Sequence, residues 1–122
     1  MDPATQEELI VPEWSDDDTT IARAAALRDG RLRQIRFFTD YSAELPLWGS
    51  NGYGGEEEGL SAALIRDLQD WVARGERAFD PFDGWRAPSL RDPWVAEGHL
   101  LADRVERELW TTAVVTRSHD WV

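Results

Sequence analysis

The sequence predicts an α+β domain: a small β-sheet of two or three strands packed against two or three helices, with the helices in a single layer on one face. Three observations carry this expectation. Leu60–Gly75 and the stretch from Asp92 to Leu109 repeat apolar residues at helical spacing. Arg31–Asp40 and Thr111–Thr116 are rich in β-favouring side chains. Finally, 122 residues with 42% hydrophobic and 11% aromatic content, including 7 Trp, supply apolar surface for one core, whereas two halves would each be too small. Residues 1–122 are therefore read as a single domain.

The elements follow in order. Residues 1–16 hold Pro3 and Pro12 around Leu9, Ile10 and Val11, which suits an arm or edge strand. Ser15 and the run Asp16, Asp17, Asp18 then place a capping side chain and acids at the positive end of a helix dipole, ahead of Ile21–Leu27 and the stop at Gly30. A first helix is expected over Asp17–Asp29. Arg31–Asp40 alternates at its start and should enter the core at Ile35–Phe38. After Tyr41, Pro46 and a run of glycines mark a long loop whose Gly-rich, acidic part is 49–59.

Leu60–Gly75 is the clearest helix, because Leu60, Leu64, Ile65, Leu68, Trp71 and Val72 share one face, with Ser61 as a cap. A loop rich in aromatics and prolines follows, including Phe79, Pro81, Phe82, Trp85 and Pro88. Asp92 and Pro93 read as an N-cap and first helical residue, and Trp94, Gly98, Leu101, Val105 and Leu109 form the next apolar stripe. Thr111–Thr116 is expected as a buried strand that pairs with the Ile35 strand.

Composition narrows the function classes. With no cysteine there is no disulfide, thiolate metal site or thiol nucleophile, which suits a reducing cytoplasm. The acidic N-terminus lacks a secretory pattern, and no apolar run approaches the roughly 20 residues of a membrane span, so a soluble cytoplasmic protein is expected. All 13 basic residues are Arg, a bias typical of high-GC bacterial genomes. Net charge is −11, and the excess is patterned. Met1–Ala22 carries seven acids and no Arg, and Phe37–Ile65 carries five acids and no Arg. Such a field disfavours nucleic acid and anionic membranes and steers a basic partner.

The catalytic signals are weak. The glycine loop runs into Glu56, Glu57 and Glu58 without a basic residue, unlike a phosphate cradle, and it reads equally as a loop presenting Tyr53 and negative charge or as a plain flexible connection. Neither acidic triplet has the alternate spacing of a calcium loop. His99 and His119 sit in no His-x-x-x-His or Ser-His-Asp pattern and read as surface or capped side chains. No catalytic residue, metal site, cofactor or small-molecule substrate is expected. Trp71 and Trp94 belong on helical core faces. Trp48 and Trp85 lie in loops and should pack over the core edge, while Trp14 and Trp121 flank the ends, where they would tie down the termini.

Asp40-Tyr41, Pro46-Leu47-Trp48, Gly59-Leu60-Ser61, Leu64, Leu68, Trp71, Gly84-Trp85, Trp94, Glu97-Gly98 and Leu100-Leu101-Ala102 form a pattern of spacing over Ile35–Leu109. This pattern resembles small acidic actinobacterial proteins inferred to be immunity proteins of polymorphic toxin or contact-dependent growth inhibition systems. The resemblance implies an antidote that binds and neutralises a cognate, basic toxin domain such as a nuclease, and needs no catalysis. The expected binding edge is Asp40, Tyr41, Trp48, Tyr53, Glu56, Glu57 and Glu58, with Asp16, Asp17 and Asp18 as a second patch. The alternatives are an acidic adaptor or regulatory binding module, and an enzyme built on carboxylates or a metal.

Overall fold

The computed structural model describes residues 11–39, 44–49, 59–80 and 82–121. Among the described residues three helices and five short strands follow in the order α1 (Asp17–Arg28), β1 (Arg33–Phe37), β2 (Leu47–Trp48), α2 (Ala62–Ala78), β3 (Phe79–Asp80), β4 (Gly84–Trp85), α3 (Arg91–Glu108) and β5 (Ala113–Arg117). The main sheet has the order β2-β1-β5. Its centre, β1, runs antiparallel to β2 and parallel to β5, with Arg33 opposite Ala113 and Phe37 opposite Arg117. β1 buries Ile35 and Phe37 and exposes Gln34 and Arg36, as a strand with one covered face must. The fold is thus α+β, as the sequence predicts.

Helix α1 begins where the Asp16 carboxylate accepts the Thr19 backbone N–H at 2.7 Å. It ends in a Schellman motif, in which Gly30 N–H donates to the Leu27 carbonyl and Arg31 N–H to the Ala26 carbonyl. Gly30 sits at φ +69°, which is why this stop needs glycine. Ser61 caps α2 through its hydroxyl, which accepts the Leu64 N–H at 3.2 Å.

Helices α2 and α3 pack antiparallel, and their cross-links run in opposite directions along the two helices: Ser61 with Glu108, Asp67 with Arg104, Arg74 with Glu97. At the centre lies a reciprocal device. Trp71 of α2 and Trp94 of α3 stack with ring centroids 4.1 Å apart and planes 7° from parallel. The Trp71 indole N–H donates to the Trp94 carbonyl at 2.9 Å, and the Trp94 indole N–H returns a bond to the Trp71 carbonyl at 3.1 Å. Each ring lies against a glycine of the opposite helix, Trp71 on Gly98 and Trp94 on Gly75. Both indoles therefore enter the core with their polar edges satisfied. Around them gather Ile35, Phe37, Leu47, Leu64, Leu68, Leu101, Val105 and Leu109.

The structure corrects four local expectations. The stretch after Tyr41 contains β2, and the aromatic stretch after α2 folds back as the β3–β4 hairpin, with Phe79 opposite Trp85. Asp92 does not cap α3. A 3-10 turn over Pro88–Leu90 feeds the chain straight into a helix that starts at Arg91, leaving Asp92 exposed in its first turn beside the Arg91 guanidinium. His119 is not on the surface; it is fully buried, on a short 3-10 turn after β5. Gly98 leaves the space for it: a Cβ at that position would lie 2.7 Å from the His119 ring.

Candidate functional site

Of the residues expected at a binding surface, Asp16, Asp17, Asp18 and Trp48 lie within the described structure. Asp40, Tyr41, Tyr53, Glu56, Glu57 and Glu58 lie outside the described residues, as does the arm before Val11. Trp48 closes the sheet edge: it stacks on Phe38 at 5.0 Å, and its indole N–H donates to the Phe38 carbonyl at 3.2 Å. Asp16 is the α1 cap, and its bonds to Thr19 hold its pKa below the ordinary carboxylate value. Asp17 and Asp18 stand exposed on the first turn of α1.

The start of α1 and the end of α3 meet in an open groove of about 460 Å³. Glu13, Trp14 and Asp16 line one side, and Arg107, Glu108 and Trp110 line the other. Trp14 meets Trp110 edge to face, with centroids 5.7 Å apart at 85°. Each indole also carries a guanidinium on its face: Arg107 lies 4.8 Å from the Trp14 centroid, and Arg23 lies 3.9 Å from that of Trp110. Arg23 reaches there from α1, and its NH2 group also approaches the Ala113 carbonyl at 3.4 Å. Burial lowers the Arg23 pKa against the opposing pull of Glu106.

Glu108 joins this groove to the second acidic segment. Its carboxylate accepts the Ser61 backbone N–H at 2.6 Å and the Ser61 hydroxyl at 3.0 Å. Two residues earlier, Gly59 at φ +88° passes so close to Leu109 that a Cβ would lie 2.9 Å from its side chain. The chain from Gly59 to Ser61 is therefore pinned to the end of α3. Glu13 and Asp16 from before α1 and Glu108 from the end of α3 thus share one groove, and Ser61 is bonded to the last of them.

Sequence reasoning did not anticipate Glu13, Trp110, Arg107 or Glu108 as site residues, and it gave Trp14 only the role of tying down a terminus. Trp110, one residue after the α3 stripe ends at Leu109, was the available signal. Among the described residues no three His, Asp or Glu side chains group as metal ligands would, and no helix is long and apolar enough to cross a membrane. No protein-family model matches the chain, and no curated protein matches it in sequence.

Proposed function

We propose that this protein acts by binding: its acidic end captures a basic protein partner, and that partner is a bacterial toxin domain which the protein neutralises as an immunity protein. The observation that carries the binding reading is the gathering of Glu13, Asp16 and Glu108 around one groove, with Ser61, which follows the Glu56–Glu58 run in sequence, bonded to Glu108. A concentrated negative surface raises the encounter rate with a cationic cleft, and salt weakens that steering. The toxin identity of the partner rests on the resemblance of Ile35–Leu109 to acidic immunity proteins.

The test is capture with the product of the neighbouring gene at low and high salt, followed by mass spectrometry and a growth assay in cells making that product. Recovery of a basic domain, association slowed by salt and restored growth are the expected results. Replacing Asp17 and Asp18 together with Asn should slow association while leaving the fold intact, since both side chains are exposed and no positive charge is added at the start of α1. Absence of any partner under both conditions overturns the reading.

A further inference from the structure

Building on the acidic-end reading, we propose that the groove between the start of α1 and the end of α3 is a receptor for an arginine side chain of the partner, and that Arg107 occupies the Trp14 face until that arginine displaces it. Four observations lead there. The groove, at about 460 Å³, has the size of a side-chain or small-ligand site. Its indoles already carry guanidiniums in this molecule, at 3.9 and 4.8 Å, so their chemistry for such a group is displayed by the chain itself. Glu13, Asp16 and Glu108 line the same groove, and although Asp16 holds Thr19 and Glu108 holds Ser61, a carboxylate has lone pairs for more than one donor. Arg107 is exposed, and among the described residues it makes no ion pair; its contact is the Trp14 ring, which is itself 42% exposed.

A planar, forked guanidinium satisfies ring and carboxylates together, while an ammonium satisfies only one well at a time. The groove should therefore prefer arginine to lysine. Arg107 acts as a built-in competitor that keeps the ring covered and adds like-charge repulsion to an incoming cation.

The experiment uses the full chain with a capped arginine-rich peptide and its lysine counterpart, followed by two-dimensional NMR of backbone and indole N–H signals at low salt. Trp14→Phe and Trp110→Phe identify the two groove indole signals. The arginine peptide should shift both and bind about two- to five-fold tighter than the lysine peptide, the range of an exposed cation–π contact. Arg107→Gln should tighten the arginine peptide by a similar factor, and Trp14→Ala should weaken it. Shifts confined to the Asp17 and Asp18 amides, with both indoles unmoved, overturn the groove but leave the acidic end standing. Weaker or unchanged binding in Arg107→Gln also overturns it. No shift anywhere at low salt removes both readings.

Discussion

His119 shows how much one side chain's surroundings decide. Its Nε2–H donates to the Val95 carbonyl at 3.0 Å, which leaves Nδ1 as a buried acceptor with no partner among the described residues. Phe37 and His99 approach its ring edge to face at 5.1 and 4.4 Å. Desolvation pushes its pKa below the ordinary value of 6.5; the Val95 bond opposes this, the His99 and Arg117 charges add to it, and Asp120 opposes it. The folded protein thus keeps His119 neutral at a pH where the unfolded chain has begun to bind a proton. Stability from this site is complete above about pH 6.5 and declines as the pH falls below it, until the folded ring also protonates. Urea midpoints measured between about pH 7.5 and 5.5 should fall for the native chain, and the fall should shrink in His119→Gln. An equal fall in both would remove His119 as the cause. Asp16 and Asp80, whose pKa values are lowered from 3.8 by hydrogen bonds from Thr19 and from Phe82 and Asp83 respectively, lose their contribution only near and below that value, so they do not mask the effect.

At the scale of elements, the α2–α3 pair depends on two glycines in helix interiors. Glycine there costs about 1 kcal/mol relative to alanine, so propensity alone favours replacement. Packing decides otherwise. A Cβ on Gly98 would lie 2.5 Å from Trp71 and 2.7 Å from His119, and one on Gly75 would lie 2.7 Å from the Trp94 ring. Trp71 and Trp94 are stacked on each other and packed against Phe37, His119 and Trp85, so they cannot retreat cheaply, and overpacking of this kind typically costs about 1–3 kcal/mol. Gly98→Ala and Gly75→Ala should each lower the thermal midpoint despite the gain in propensity; an unchanged or raised midpoint would show that the indole pair shifts freely. The long apolar repeats made α2 and α3 legible in the sequence, and the Asp-rich cap with Gly30 made α1 so. Strands β2, β3 and β4 were not legible, because two residues show no period. The Asp92 cap was misread because Asp-Pro is a strong local signal that the Pro88–Leu90 turn overrides. The groove was hidden for another reason: Trp14 and Trp110 belong to opposite parts of the chain, and only the fold sets their rings together.

For the whole molecule, charge and architecture are separable. The core of Trp71, Trp94, Phe37 and the surrounding aliphatics holds the helices to the sheet, while Glu13, Asp16, Asp17, Asp18 and Glu108 are exposed and outside it. The ion pairs between α2 and α3, such as Arg74 with Glu97 and Arg104 with Asp67, are partly exposed and contribute modestly to stability. Salt should therefore weaken partner capture far more than it weakens the fold. The parallel pairing of β1 with β5 has a consequence in time. The central strand is synthesised early, yet its neighbour along the whole register, from Arg33–Ala113 to Phe37–Arg117, comes from a segment made some eighty residues later. Until then Ile35 and Phe37 lack their neighbouring strand, and Phe37 lacks the His119 ring packed against it. A chain ended at Thr112 should show no cooperative unfolding in a urea titration, and the intact chain should refold in milliseconds to seconds, as topologies rich in non-local pairing do, rather than in the microseconds of a helical bundle. During synthesis the order of events is set accordingly: the helices α2 and α3 can form as they emerge, but β1 waits with an open hydrogen-bonding edge, and this protein is most exposed to misassembly in the interval before its last strand arrives.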